Sequence, residues 1–167
     1  NTSVYLEFDT DFSEKFNASI AARYEDYSDF GSTTSGKLSA RYAFTDRYAL
    51  RGTVASGFRA PSLAQQNYST TSSVLTSGTI VETRTFPVNT AVARAFGAEP
   101  LKAEESLSYS LGFVAQPTDS FTLSIDAYQI QIDDRIVLSE NLTGIAVENY
   151  LTQLGFPGVR GGRYFTN

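Results

Sequence analysis

The sequence contains no cysteine, histidine, methionine or tryptophan in its 167 residues. The absence of cysteine excludes a disulfide framework and thiolate chemistry. The absence of histidine also removes the usual zinc sites and the serine–histidine–aspartate type of nucleophile. An enzyme would have to work with carboxylates, lysine, tyrosine or serine. We therefore expect that the protein is not an enzyme and that it holds no metal and no cofactor.

Basic residues are fewer than acidic residues, and the formal net charge is −5 at pH 7. The chain has no basic stripe that could neutralise phosphates, so we expect no nucleic-acid partner. It also lacks an apolar run of the roughly 18 residues that a membrane-spanning helix needs, and residues 1–5 do not resemble a signal peptide. Membrane-spanning strands remain possible, since each needs only about 9–11 alternating residues.

Apolar and polar residues alternate with a period of two along most of the chain, which predicts long β-strands. We predict six of them, at about 3–12, 16–28, 36–45, 48–58, 105–115 and 120–132. Their connections are short at 13–15, 45–47 and 116–119 and long at 28–35, 59–104 and 133–167. After Ala127 the apolar positions change phase, which predicts a β-bulge near that residue. Long connections at one end of a sheet are typical of functional loops.

Two readings of this alternation remain open. In a soluble β-sandwich the apolar face would pack inward, whereas in an outer-membrane barrel it would face lipid and the polar face would line the interior. The predicted strands exceed the usual soluble length of about 5–6 residues. Aromatic residues also lie beside the turns, as in an interfacial girdle: Phe12, Phe16, Phe44, Tyr48, Phe58 and Phe121. These features favour the barrel.

The long connections contain local signals of their own. Helical spacing over 144–154 predicts a short loop helix, with Thr143 as its N-cap and Gly155 just beyond its end. The residues VLTSGTIV at 74–81 are compatible with a small hairpin. The residues GSTTSGKL at 31–38 resemble a phosphate-binding loop, but Leu38 stands where that motif needs a hydroxyl. We therefore predict a hairpin loop there. A carboxylate-based hydrolase is a third alternative, because pairs of carboxylates could flank a glycosidic bond.

Three motifs resemble segments of the late barrel of TonB-dependent outer-membrane receptors. They are ASGFRAPSLAQ at the end of the fourth strand, LKAEESLSYSLGF where the sheet resumes, and DAYQIQIDDRIVLS in the sixth strand and the loop after it. Their order and spacing agree with the family from about residue 36 to 140. The resemblance implies an all-β fold: an antiparallel meander of about six strands belonging to a transmembrane barrel of about 22 strands.

The resemblance also implies a function and a location. Receptors of this family import scarce nutrients (ferric siderophores, cobalamin or glycans) across the outer membrane of Gram-negative bacteria, with energy supplied through TonB acting on a plug domain. We find no plug in this sequence and expect an internal fragment, 1–167, which contacts outer-membrane lipid and self-associates when isolated. The alternative is a soluble β-sandwich that binds a ligand or carbohydrate. Candidate ligand-binding residues in the loop after the fourth strand are Arg59, Gln65, Gln66, Asn67 and Tyr68.

Overall fold

The computed structural model describes residues 1–28, 31–76 and 78–167. The chain divides into two compact units. The sheet unit comprises Asn1–Arg59 and Glu104–Asp133, and the insert unit comprises Ala60–Ala103 and Asp134–Asn167. In chain order the elements are β1 (Thr2–Ser13), β2 (Phe16–Tyr27), β3 (Gly31–Thr45), β4 (Tyr48–Arg59), α1 (Leu63–Asn67), β5 (Thr70–Thr76), β6 (Thr79–Thr85), α2 (Ala91–Ala95), β7 (Glu104–Thr118), β8 (Phe121–Asp133), β9 (Val137–Leu138), β10 (Leu142–Thr143), α3 (Ile145–Gln153), β11 (Val159–Arg163) and β12 (Phe165–Thr166).

The sheet unit is a six-stranded sheet in the order β1-β2-β3-β4-β7-β8, and every neighbouring pair is antiparallel. This confirms the predicted meander. The strands are 12 to 15 residues long. The register shifts only beside the tight turns, for example between Asp11 and Ser13 and between Ala43 and Thr45.

The register gives the sheet one apolar face and one polar face. The aligned residues Leu38, Val54 and Tyr109 show how the apolar side chains line up across three strands. These side chains remain exposed, with 68% of Phe8 and 58% of Ile125 accessible. In a soluble sandwich such a face would be covered by a second sheet. An exposed face therefore argues against the sandwich alternative.

The connection predicted at 28–35 is much shorter in the structure. Strand β3 begins at Gly31 and pairs with β2 from its first residue, opposite Tyr27. The prediction of a hairpin loop at 31–38 was therefore wrong, because these Ser, Thr and Gly residues extend the ladder despite their polarity on both faces. Asp29 and Phe30, which also fell in the predicted loop, lie outside the described residues.

The predicted bulge near Ala127 is also absent. Strands β7 and β8 pair without a shift from Glu105 opposite Asp133 to Ala115 opposite Leu123. The change of phase is instead a change of polarity within one regular strand. Up to Ile125, the large apolar residues of β8 lie on the apolar face. Beyond Ala127 they lie on the polar face, while glutamines take the apolar-face positions: Tyr128, Ile130 and Ile132 are opposite Ser110, Ser108 and Ser106.

The insert unit contains a four-stranded sheet in the order β10-β11-β6-β5 and a two-stranded pair, β9 with β12. Strands β5 and β6 form the hairpin suggested by the sequence, and β11 runs parallel to β6. The unit has its own hydrophobic core, made of Phe86, Ala93, Ala98, Leu151 and Val159. Residues predicted to be long loops thus form a small folded unit.

Gly162 on β11 allows the aromatic rings of this core to pack closely. A Cβ atom built on Gly162 would lie 2.6 Å from the ring of Phe96 and 3.2 Å from the ring of Phe86. Only a residue without a side chain therefore lets both rings pack on β11 at this point.

The predicted helix is α3, and its C-terminal signal is confirmed. Gly155 has a φ of 84°, and its N–H bonds to Thr152 O while Phe156 N bonds to Leu151 O. These two bonds form a Schellman motif. The predicted N-cap was wrong: Gly144 caps the helix without a side-chain bond, because Thr143 belongs to β10.

Candidate ligand-recognition site

Four of the five predicted ligand-binding residues lie on or beside α1, a helix that the sequence analysis missed. Its N-cap is Ser62, whose Oγ accepts a hydrogen bond from Gln65 N at 3.1 Å, while Gln65 Oε1 accepts one from Ser62 N at 3.1 Å. This reciprocal pair is a capping box. The spacing Ser-x-x-Gln in the sequence was the signal that could have revealed it.

The helix uses one side-chain polar atom of each amide residue that had been assigned to a ligand. Gln66 Nε2 donates to Pro61 O at 3.2 Å, and Asn67 Nδ2 donates to Leu63 O at 3.0 Å. Gln65 is engaged in the capping box. Three of the predicted contacts thus have local hydrogen-bond partners.

Tyr68 follows the helix and is the most available of the predicted residues. Its ring contacts Phe165 edge to face at a centroid distance of 6.1 Å, and 46% of the residue is exposed. Its hydroxyl makes no hydrogen bond within the described part of the chain. The Tyr68 ring is thus held by its aromatic contact, while its hydroxyl is available for a hydrogen bond.

Arg59, the fifth predicted residue, ends β4 and forms an ion pair with Glu104, the first residue of β7. The two residues are register partners. Arg59 Nε donates to Glu104 Oε2 at 2.8 Å, and Arg59 Nη2 donates to Oε1 of the same carboxylate. Glu104 is only 7% exposed. The hydrogen bond to Glu104 raises the pKa of the Arg59 guanidinium, which therefore stays charged.

A further cation, Arg84 on β6, lies against two aromatic rings of the insert unit. Its guanidinium carbon is 4.6 Å from the ring centroid of Phe156 and 5.7 Å from that of Phe86. Its Nε is buried and has no hydrogen-bond partner among the described residues. No sequence pattern indicated this arrangement, because Phe156 is distant from Arg84 along the chain.

The polar face of the sheet unit carries a shallow groove of about 290 Å³. Its walls include Tyr5, Glu7, Arg23 and Lys37. Tyr5 donates its hydroxyl hydrogen to Glu7, and Arg23 pairs with Glu25 at 2.7 Å. The groove is therefore a polar surface whose charges are largely matched by neighbours.

Among the described residues, no cluster of three or more acidic side chains is placed to hold a metal ion. No helix in the same part of the chain has the length and apolar character to cross a membrane.

The family model "TonB dependent receptor-like, beta-barrel" matches residues 1–164. With the exposed apolar face and the long antiparallel strands already described, this match shows that the chain belongs to the family of TonB-dependent receptor β-barrels, proteins of the Gram-negative outer membrane. The resemblance noted in the sequence is thereby confirmed. No curated protein matches the sequence.

Solved structures share the fold at low identity. The siderophore receptor PirA from Pseudomonas aeruginosa aligns over 99% of this chain and 28% of its own, with 21% identity and a TM-score of 0.71. PirA from Acinetobacter baumannii aligns over 99% and 23%, with 19% identity and a TM-score of 0.67. The ferric enterobactin receptor PfeA from P. aeruginosa, as a Q482A mutant with enterobactin, aligns over 99% and 22%, with 18% identity and a TM-score of 0.71.

The chain therefore spans less than a third of the length of the receptors it matches. These relatives are transport receptors rather than enzymes.

Proposed function

We propose that the chain forms part of the wall and of the ligand-recognition region of a receptor that imports a ferric siderophore. The exposed apolar face of the six-stranded sheet supports the membrane part of this proposal, and the similarity to the siderophore receptors PirA and PfeA supports the ligand class. A water-soluble protein seldom exposes a contiguous apolar surface of this size. We therefore assign this apolar surface to contact with membrane lipid.

The height of the apolar face supports contact with a membrane. Phe16 and Tyr24 on β2 mark its two aromatic edges, and they are about 26 Å apart along the strand at about 3.3 Å per residue. At a strand tilt of about 35–45° this separation corresponds to a height of about 20 Å, which is of the same order as the apolar band of about 25 Å in outer-membrane barrels. On β8 the apolar face extends from Phe121 to the polarity change at Ala127. Beyond it, Gln129 and Gln131 occupy the positions that would otherwise face lipid.

The same change of polarity helps to assign the two ends of the strands to the two sides of the membrane. The end with tight turns begins at aromatic pairs such as Phe12 with Phe16, whose ring centroids are 5.5 Å apart. The other end continues past the apolar band into the two segments that form the insert unit. We assign this second end to the outside of the cell, where longer loops are found in such barrels.

Recognition is assigned to the insert unit, because function in such scaffolds concentrates on the connections that a rigid framework holds. Of the predicted contacts, we assign direct ligand binding only to Tyr68, because its hydroxyl has no hydrogen-bond partner among the described residues. We assign Gln65, Gln66 and Asn67 to shaping α1, and Arg59 to fixing the junction of β4 and β7. Energy coupling through TonB and a plug domain is part of the proposal for the whole receptor.

The test is uptake of radioactive iron by the full receptor in a strain that lacks its own siderophore receptors. We expect uptake from ferric enterobactin or another ferric siderophore, and loss of that uptake when TonB is deleted. Cobalamin and a glycan serve as competing substrates. Uptake that persists without TonB would contradict the energy coupling, and uptake of cobalamin alone would contradict the siderophore class.

A further inference from the structure

We propose that Arg84 is a binding residue for a planar oxygen-bearing anion, such as a catecholate or a carboxylate. This rests on the proposed function only in that the insert unit recognises the ligand. The starting point is the state of the side chain. A guanidinium that is partly buried ordinarily donates to a carboxylate or carbonyl oxygen. Arg84 makes no hydrogen bond through its side chain within the described residues, and its Nε is buried without an acceptor.

The two aromatic rings hold the guanidinium in place without using its donors. Its carbon lies 4.6 Å from the Phe156 centroid, within the range of a cation–π contact. Phe86 is 3% exposed and lies edge-on to Phe156, with 5.5 Å between centroids. Phe156 is fixed in turn by the Schellman motif of α3 through its N–H bond to Leu151 O at 2.9 Å. The position of the guanidinium carbon is therefore set by contacts within the insert unit.

The donors that remain are the terminal amino groups. They are not among the buried unpartnered atoms, so they are open to the surroundings. Two parallel N–H groups match the two oxygens of a carboxylate or a catecholate. A positioned guanidinium with accessible donors is a preorganised site for such an anion, and the partly buried ring of Phe156 lies beside it.

The charges of the insert unit support an anionic partner. Its cations are Arg84, Arg94, Lys102, Arg135, Arg160 and Arg163, and its acids are Glu82, Glu99, Asp134, Glu140 and Glu148. All ion pairs found among the described residues belong to the sheet unit. Glu82 lies on the same face of β6, two residues before Arg84, yet forms no ion pair with it. Among the described residues the acids of the unit are also without ion pairs, but the unit has six cations and five acids, whereas the whole chain has a net charge of −5.

The experiment measures binding of iron chelates to the full receptor in detergent. The probes are ferric enterobactin and ferric citrate, which are anionic, and ferrioxamine B, which is cationic. We compare the wild type with Arg84→Met, Arg84→Lys and Arg94→Met. Arg94→Met is the matched control, because Arg94 is an exposed cation on α2 in the same unit.

We expect the wild type to bind an anionic chelate and Arg84→Met to bind it about tenfold more weakly or worse, as for the loss of hydrogen bonds to a charged group. Arg84→Lys should recover only part of the affinity, because lysine lacks the planar fork. The salt dependence of binding should become shallower in Arg84→Met and remain unchanged in Arg94→Met. A purely structural role would not produce that difference.

Protease resistance of the insert unit distinguishes a binding effect from misfolding. If Arg84→Met is degraded, Arg84→Gln and Arg84→Lys provide the comparison. Wild-type affinity in all folded Arg84 variants would overturn the inference and leave the proposed function intact. Exclusive binding of the cationic chelate would do the same. A wild-type receptor that binds no iron chelate would overturn the proposed function and the inference together.

Discussion

The guanidinium of Arg51 on β4 and the carboxylate of Asp126 on β8 meet across the strand between them, with 2.8 Å from Nη2 to Oδ1. The intervening residue is Gly112, the register partner of both. A Cβ atom there would lie 2.2 Å from Asp126 Oδ1 and 2.7 Å from Arg51 Nε. The bridge over three strands therefore depends on the missing side chain of one glycine.

We predict that Gly112→Ala breaks this bridge without unfolding the barrel. The atoms in its way are ends of flexible side chains, and both side chains are about half exposed. The loss should therefore cost at most about 1 kcal/mol. In an Asp126→Ala background, which removes the obstructing carboxylate, the same change should be neutral or stabilising, because glycine weakens a strand interior. Urea unfolding of the four combinations in the full receptor measures the coupling. Equal costs in both backgrounds would contradict the prediction.

The two faces of β4 should differ in their tolerance of charge. Val54, aligned with Leu38 and Ile20 midway along the band, lies on the apolar face, and Thr53 lies on the polar face. Arginine at the centre of the lipid-facing surface costs about 2–4 kcal/mol. Val54→Arg should therefore impair assembly of the full receptor, while Thr53→Arg, which adds the same charge, should assemble normally. Heat-modifiable migration of the folded barrel in gels checks this, and equal tolerance at both positions would mean that the faces are assigned wrongly.

Replacing residues 66–98 of the full receptor with a short Gly/Ser linker should spare the barrel and abolish recognition. The sheet should close because Arg59 and Glu104 still pair, and the entropy of loop closure changes slowly with length. The deletion removes Phe86 and Ala93 from the core of the insert unit, so residues 134–167 should become sensitive to protease.

The control for this deletion also shortens 134–167. We expect both variants to reach the outer membrane as folded barrels and both to lose ligand uptake, and only the first to show proteolysis at 134–167. Parental uptake in either variant would show that the insert unit takes no part in recognition.

The isolated chain of 167 residues should associate with itself in buffer without detergent. Strands β1 and β8 are the ends of the sheet and have one partner each. Long unprotected edges beside an apolar face promote edge-to-edge pairing. Light scattering should report oligomers or aggregates. A monodisperse monomer would indicate that the edges are protected.

Period-two alternation predicted the sheet well because each strand has one apolar and one polar face. It failed where this contrast was missing or inverted. The residues from Gly31 to Gly36 are polar or small on both faces, so their pairing with β2 left no pattern to read. On β8, a bulge and a regular strand that changes its polarity give the same spacing of apolar residues, and only the register with β7 separates them.

The candidate site was harder to predict than the sheet. The cap of α1 was readable from Ser62 and Gln65, and its recognition would have removed Gln65 from the ligand-binding set. The contact of Arg84 with Phe156 was not readable. It depends on the packing of α3 beside the parallel pair β6 and β11, and parallel pairs join segments that are far apart in sequence.

The register of Arg59 with Glu104 has an evolutionary consequence. The chain leaves the sheet at Arg59 and returns to it at Glu104, and these two residues are direct pairing partners on neighbouring strands. Inside a strand, insertion of one residue turns every later side chain to the opposite face. Between these two residues, insertions and deletions of any length, odd or even, leave the faces of β7 unchanged. Genes of this kind can therefore exchange or resize the segment at 60–103 and acquire new ligands while the lipid-facing wall is inherited intact.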